Sequence, residues 1–417
     1  MTNFCRHYYQ RETGRVIDGG TVENVLGVLQ GRAMFEGVVR EAPTRVQQLD
    51  GRIYIDLCNE DWEVVEIGED IDMGWRIIQN PPVAFRRAKG MEALPTPVRG
   101  GKWKELQHLL SLEGENWVLA VSWMLMALRP SPSHYPMPYP VLAVHGEQES
   151  GKSTLCKMIR TLIDPNFTTL LGTSTRDEEE LMIRAKNSYV VGFDNLSKMP
   201  QWMNDAICSL VTEGSFAKRT LYANHEEELF KSQRPVILNG INENLGKPDF
   251  RRRVVKLILP AREESEKREE VEHWAEFHSV WPRVLGLLCD AICFAQINLP
   301  AVELPHRRGL VDFAKWVTAA EPMLPWPLGQ FSDAYLVNQQ KAIEAAIEAD
   351  SFTLAIIDYI DDRTWFKGTV GDFRSELGRF VDDSVLREPG WPKTASVFGD
   401  RLNRAKPSLR AVGIEVK

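Results

Sequence analysis

Ten residues, HGEQESGKST at 145–154, carry the clearest chemistry in the chain. Gly146 and Gly151 are separated by four residues and followed by Lys152 and Ser153, the spacing G-x4-G-K-[ST]. A turn of this kind between a strand and a helix aims consecutive backbone N–H groups, here from Gly146, Glu147, Gln148, Glu149, Ser150 and Gly151, at the β- and γ-phosphates of a nucleoside triphosphate. Lys152 supplies a point charge and the Ser153 hydroxyl binds Mg2+. The helix that begins there, with Thr154 in its first turn, adds the dipole of its N-terminus. Glu147 and Glu149 put carboxylates into an anion-binding loop and must point away from it. Asp194 ends the apolar stretch SYVVGFDN (188–195), where a second Mg2+ contact through water is expected. Asn239 is the polar end of another such stretch, VILNG, and Arg251, Arg252 and Arg253 stand just before a third, VVKLIL.

These side chains need a scaffold, and the surrounding patterns describe one. Strand and helix patterns alternate from 141 to about 240, which predicts a parallel sheet covered by helices and places the chain in the α/β class. Upstream, RIYIDL, WEVVEI and WRIIQN alternate apolar and polar residues, which predicts a small β-rich N-terminal domain over 1–100 with PTPVRGGK as its exit linker. Residues 101–140 read as a helical linker, broken at LEGEN and closed by the proline-rich RPSPSHYPMPYP. The core spans 141–262 and includes KRTLYANHEEELF (218–230), which can fold as a hairpin with Asn224 and His225 near its tip. A helical segment follows over 263–335. The last part, 336–417, holds three short helices, SFTLAIIDYI, DFRSELGRFV and TASVFGDRLNRA, and a terminal strand in LRAVGIEVK.

Composition leaves several functions open. With 417 residues, 43% hydrophobic and 26% charged, the chain is that of a multi-domain soluble protein. It shows no apolar run of the roughly 20 residues that cross a bilayer and no signal-peptide core, so a cytoplasmic location without membrane contact is expected. The six cysteines form no dense framework, and Cys289 and Cys293, one helical turn apart in VLGLLCDAICFA, read as a buried helix face. A net charge of −8 does not oppose nucleic-acid binding, because a cleft or a ring can carry its basic residues locally.

The succession of phosphate loop, strand with terminal Asp194, hairpin, strand ending in Asn239 and arginine before the next strand resembles the core of superfamily 3 helicases, AAA+ ring motors of viruses, phages and mobile elements. It is most similar to the poxvirus- and phage-type primase-helicases, as found in bacterial integrated elements. The similarity runs from about 45 to 417 and is most specific over 141–262. It implies ATP and Mg2+ as cofactors, Lys152 and Ser153 on phosphate and metal, Asp194 as the Walker B acid, and Asn239 as the sensor that positions the attacking water. It also implies Arg253, with Arg252 as the alternative, as an arginine finger reaching a neighbour's site, and Lys218, Arg219, Asn224 and His225 on or near a hairpin that grips nucleic acid in the ring's channel. The C-terminal segment resembles a winged helix, whose third helix can enter the major groove. Arg401 and Arg404, with Lys393, Lys406 and Arg410, would give it a basic face, diluted by Asp382, Asp383 and Asp400.

The chain departs from that pattern twice. Asp194 is flanked by Phe193 and Asn195 where a second acid often stands, so the general base comes from elsewhere, with Glu213 or a residue of 177–180 as candidates, or hydrolysis is slow. The first hundred residues are too few for a primase domain, Asp70 and Asp72 read as solvated turn acids, and priming would need a separate primase partner. The expectation is a homo-hexameric, or heptameric, ATP-driven helicase or translocase on single- and double-stranded DNA, acting in replication of a phage, satellite or integrated element. Two rivals are an ATP-switched DNA-binding or defence ATPase with little turnover, which a single acid suits, and a small-molecule kinase, which needs a lid arginine cluster that the sequence does not display.

Overall fold

The computed structural model describes residues 2–38, 42–132, 135–172, 177–196, 199–212, 214–219, 227–240, 248–261, 269–307, 309–388 and 390–417. The chain divides into two compact units, Met1–Pro43 and Thr44–Lys417. The first consists of two helices that pack on each other, α1 (Thr2–Thr13) and α2 (Gly19–Phe35), the second capped by Asp18, whose carboxylate accepts from the Thr21 N–H at 3.0 Å. The expectation of a β-rich domain over 1–100 is therefore corrected. α1 buries no residue and α2 only Val22, so apolar residues such as Phe4, Tyr8, Val25 and Leu29 stay exposed on them.

The alternating segments do form strands: β1 (Val46–Leu49), β2 (Arg52–Asp56), β3 (Val64–Ile67) and β4 (Trp75–Ile78) make an antiparallel meander. They are not a separate domain, because Ile53, Ile55, Val65 and Trp75 belong to the same apolar cluster as the residues that follow, up to Tyr335. Polar contacts fix the attachment. Arg45, fully buried, donates from Nε to Asp164 Oδ1 at 2.9 Å, and Asp164 Oδ2 accepts from the Tyr189 and Val190 N–H groups at 3.0 and 2.9 Å. A buried ion pair with its remaining oxygen satisfied in this way avoids the cost of an unpaired buried charge.

α3 (Trp103–Leu110) and α4 (Gly114–Ala127) follow, broken at Ser111, which takes a left-handed conformation (φ 51°). Every residue of α4 from Trp117 to Ala127 is buried. Next come β5 (Val141–Gly146), α5 (Lys152–Ile163), α6 (Glu178–Lys186), β6 (Val191–Phe193), α7 (Gln201–Thr212), the antiparallel pair β7 (Gly214–Arg219) and β8 (Glu227–Ser232), β9 (Val236–Asn239), α8 (Pro248–Arg251) and β10 (Val254–Leu259). Strands β10, β5, β9 and β6 pair in that order, all parallel. Between α5 and α6 the apolar TTLL segment (168–171) makes one isolated parallel bridge, Leu171 beside Phe193.

The remainder is helical: α9 (Glu270–Asn298), α10 (Val311–Ala320), α11 (Gln330–Glu348), α12 (Ser351–Arg363), α13 (Val370–Phe380), α14 (Asp383–Leu386) and α15 (Ala395–Ala411). α9 runs unbroken through Pro282, and Cys289 and Cys293 lie buried on it as expected. It is long and apolar enough to cross a membrane, and 56% of its apolar window is packed inside the protein, as a core helix would be. A second apolar cluster, from Phe352 to Leu409, makes the C-terminal unit begin near 352, whereas residue 336 lies inside α11. Among the described residues no strand closes this unit. α15 continues through Pro407 to Ala411, and the expected wing strand over 409–417 is absent, with Ile414 and Val416 packing on the helices instead.

Candidate functional site

The carboxyl ends of β5, β6 and β9 converge where open parallel sheets bind their ligands. β5 ends at Gly146, whose φ is 151°, and a Cβ there would stand 2.6 Å from Ser150 Oγ and 2.7 Å from the Leu259 carbonyl oxygen. Gly151 takes the left-handed conformation (φ 83°) and starts α5. Glu147, Gln148 and Glu149 are exposed and Ser150 is buried. The apolar face of α5, with Leu155, Ile159 and Leu162 buried, orients its first turn, where the N–H groups have no intrahelical acceptor. Lys152 lies across the loop, its Nζ donating to the Gly146 carbonyl at 3.0 Å, to Ser150 Oγ at 3.4 Å and to the Glu147 carbonyl.

Three residues named from three separate segments meet beside it. Ser153 Oγ donates to Asp194 Oδ1 at 3.0 Å, and Asn239 Nδ2 donates to Ser153 Oγ at 2.8 Å and to Asp194 Oδ1. The sheet order produces this: β9 lies between β5 and β6, so its terminal Asn239 stands between the loop helix and the acid that follows β6. Asn239 is 2% exposed, and its Oδ1 is buried without a hydrogen-bond partner. One neighbour escaped sequence reading. His145, the residue before Gly146, is 7% exposed, with Nε2 buried and unpartnered. Burial, helped by the cations Lys256 and Lys152, pushes its pKa down to about 4, so the ring is neutral near pH 7. Its position on an apolar strand gave no signal of this.

The residues present fit Mg2+ and a nucleoside triphosphate. The glycine cradle is one a Cβ would fill, Lys152 brings an ammonium to its mouth, and Ser153 and Asp194 offer two oxygens to a metal that keeps its other positions for water and phosphate. The buried, unpartnered Asn239 Oδ1 is an acceptor suited to hold a water. Among the described residues no group of three or more His, Cys, Asp or Glu side chains is placed to hold a metal ion.

Other named residues lie apart. Arg253 precedes β10 at the end where Val254 pairs with Val141, while the loop lies at the end where Leu259 pairs with Gly146. Six strand residues at about 3.3 Å each put the two ends roughly 20 Å apart. Arg252, beside it, is exposed. Lys218 and Arg219 end β7, in register with Glu228 and Glu227 of β8, while Asn224, His225 and Glu213 lie outside the described residues. Asp177 caps α6 and Glu180 pairs with Arg184. Arg401 is not an open basic contact: its Nη2 donates to Asp350 Oδ1 at 2.6 Å and its guanidinium lies over the Phe352 ring. Arg404 and Arg410 are exposed on α15.

A family model described as "Actinomycete integrative conjugative element replication protein" matches residues 105–329, and one described as "AICE RepA C-terminal domain" matches 352–417. No curated protein matches. Two solved structures, both of the NrS-1 C-terminal region in its A form without ligand, are 11% identical to this chain. One has a TM-score of 0.33 over 85% of this chain and 86% of that one, and the other 0.32 over 94% and 87%. The first family model spans more than half of the sequence, and the chain belongs to the actinomycete integrative conjugative element replication proteins.

Proposed function

We propose that this replication protein is an ATP-driven ring motor, a helicase or translocase acting on DNA during replication of the mobile element. The observation that carries the reading is the convergence of Ser153, Asp194 and Asn239 at the ends of three parallel strands beside the Lys152 loop. Bound Mg-ATP would supply a γ-phosphoryl group open to attack by water. Lys152 would exchange its loop carbonyls for phosphate oxygens, Ser153 and Asp194 would hold the metal, and the Asn239 amide would orient a water. Arg253 lies too far from its own loop to act there, so it would serve a neighbour's site, and hydrolysis would need a closed assembly, with six subunits the expected number. An arginine that stabilises charge developing on the γ-phosphoryl is worth roughly a thousandfold or more in rate. The β7–β8 hairpin would contact the DNA strand, and the C-terminal helices duplex DNA.

The test is ATP hydrolysis with and without single-stranded DNA, beside a mass measurement in the presence of an ATP analogue. Stimulated turnover by a ring is expected; a monomer whose hydrolysis ignores DNA would refute the motor. One observation favours a second reading, an ATP-switched DNA-binding protein with little turnover: the carboxylate following β6 is Asp194 alone, with Phe193 and Asn195 on either side. Assembly and DNA binding driven by ATP, with turnover unchanged by DNA, would select it.

A further inference from the structure

β10 is an edge strand: β5 covers one side, and among the described residues no strand lies beside the other. On that side every second residue presents its backbone outward, and side-chain amides meet each one. Gln339 Nε2 donates to the Val254 carbonyl at 3.3 Å. Asn338 grips Lys256 from both sides, its Oδ1 accepting from the N–H at 3.0 Å and its Nδ2 donating to the carbonyl at 2.6 Å. Asn116, on α4, does the same at Ile258, accepting at 3.0 Å and donating at 2.7 Å. Asn338 is 7% exposed, so its two bonds to Lys256 are made largely out of water, where an unmet backbone group is costly, whereas the Asn116 bonds lie at the surface.

The position of the strand gives the amides a consequence beyond closing an edge. At one end the Leu259 carbonyl packs against Gly146 of the phosphate loop, and at the other the chain emerges from the Arg251–Arg253 run. The Arg253 carbonyl accepts from the Val141 N–H at 2.8 Å, so backbone bonds to β5 and side-chain bonds from α11 hold the first residues of the strand between them. α11 also lines a cleft of about 60 Å3 with Arg251, Arg252 and Pro407 of α15.

We infer that Asn338, with Gln339, is a positioning residue for the arginine that each subunit presents to its neighbour, and that β10 is the rod tying that arginine to the subunit's own phosphate loop. The inference rests on the ring-motor reading above. Its signature is a defect confined to the donor side of an interface. A subunit carrying Asn338→Ala keeps an intact phosphate loop and presents a misplaced arginine, whereas Lys152→Ala has the reverse fault. Misplacement by about 1 Å can cost up to a hundredfold in rate, so kcat of Asn338→Ala should fall roughly ten- to hundredfold, with KM for ATP within twofold of wild type.

The experiment measures ATP hydrolysis by full-length Asn338→Ala, Arg253→Ala and Lys152→Ala proteins, singly and in pairs with Lys152→Ala. Activity should return in both mixtures, because some interfaces then join an intact loop to an intact, well-held arginine. Return with Arg253→Ala but not with Asn338→Ala overturns this inference alone. Return with neither, in rings shown to be mixed, overturns the trans-acting arginine and this inference with it. A lower melting temperature with unchanged kcat per assembled ring would leave the amides as edge protection only, and would overturn it too. If Asn338→Ala fails to assemble, Gln339→Ala, which removes a single bond, decides: a smaller fall in kcat restored by mixing supports the inference, and an unchanged kcat refutes it.

Discussion

Gly146→Ala would push a methyl group to 2.7 Å from the Leu259 carbonyl, so the phosphate loop or the end of β10 must shift. ATP affinity should drop by the equivalent of about 1–3 kcal/mol, the usual cost of overpacking. Titration with a fluorescent ATP analogue checks this, and wild-type affinity would show the close approach to be tolerated. The preceding residue acts through charge instead. The folded pKa of His145, about 4, lies below the ordinary 6.5, so the unfolded chain takes up the proton first as pH falls. The stability it contributes is whole above about 6.5 and lost towards 4, about 2 kcal/mol by pH 5. Urea midpoints at pH 7.5 and 5.0 should therefore lie further apart for the wild type than for His145→Asn; equal separations would place the acid sensitivity elsewhere. These two neighbours differ in how far sequence announces them. The meeting of Ser153, Asp194 and Asn239 beside Lys152 is legible, because the glycine spacing marks a turn between strand and helix and because Asp194 and Asn239 each close an apolar strand run. His145 depends on tertiary surroundings that spacing does not encode.

The elements are legible where periodicity is strong and obscure where it is not. β2, β3, β4, β5, β9 and β10 follow from alternating or continuous apolar runs, and the hairpin of β7 and β8 is present as an antiparallel pair. α2, GGTVENVLGVLQGRAMF, has glycines and β-branched residues and only one buried side chain, so neither propensity nor pattern announces it. Proline ends neither long helix: α9 continues through Pro282 and α15 through Pro407, because the rest of each helix face is packed against an apolar cluster. In β7 Lys218 and Arg219 stand in register with Glu228 and Glu227, so the ribbon's sequence mixes bases with acids and a broad electrostatic surface is a poor account of it. Local phosphate contacts fit better. Replacing Lys218 and His225 by Ala should abolish DNA-stimulated hydrolysis while basal hydrolysis and assembly persist. Each phosphate that the variant no longer neutralises should shrink the slope of log affinity for single strands against log salt by about 0.7. Normal stimulation of the double variant would move the nucleic-acid contact away from the hairpin.

At the scale of the molecule, the two apolar clusters matter more than the boundaries drawn from sequence. One cluster unites the antiparallel meander, the parallel sheet and helices α3 to α11, and the other closes within α12 to α15. Linker-like composition hides the first union: the PTPVRGGK stretch is docked, with the Val98 N–H donating to the Pro282 carbonyl at 2.9 Å, and Arg99 pairs with Asp290 at 3.1 Å. The second cluster makes a cut after Asp350 physically reasonable, since it severs no part of the main core. The cut does remove Arg401, the partner of Asp350, and the α15 wall of the cleft beside Arg251 and Arg252, but it leaves Asn338 and Gln339 in place on β10. A chain ending at 350 should therefore still assemble and hydrolyse ATP near the basal rate. With Arg401 committed to Asp350, any duplex contact made by the C-terminal unit falls to exposed cations such as Arg404 and Arg410 on α15. Truncation should then weaken duplex DNA binding more than it lowers basal hydrolysis, and Arg404→Ala with Arg410→Ala in the full chain should reproduce the weaker binding with a reduced salt slope. Equal duplex affinity of the full and shortened chains, measured at one salt concentration, would make the C-terminal helices a packing unit and leave the hairpin to carry the DNA.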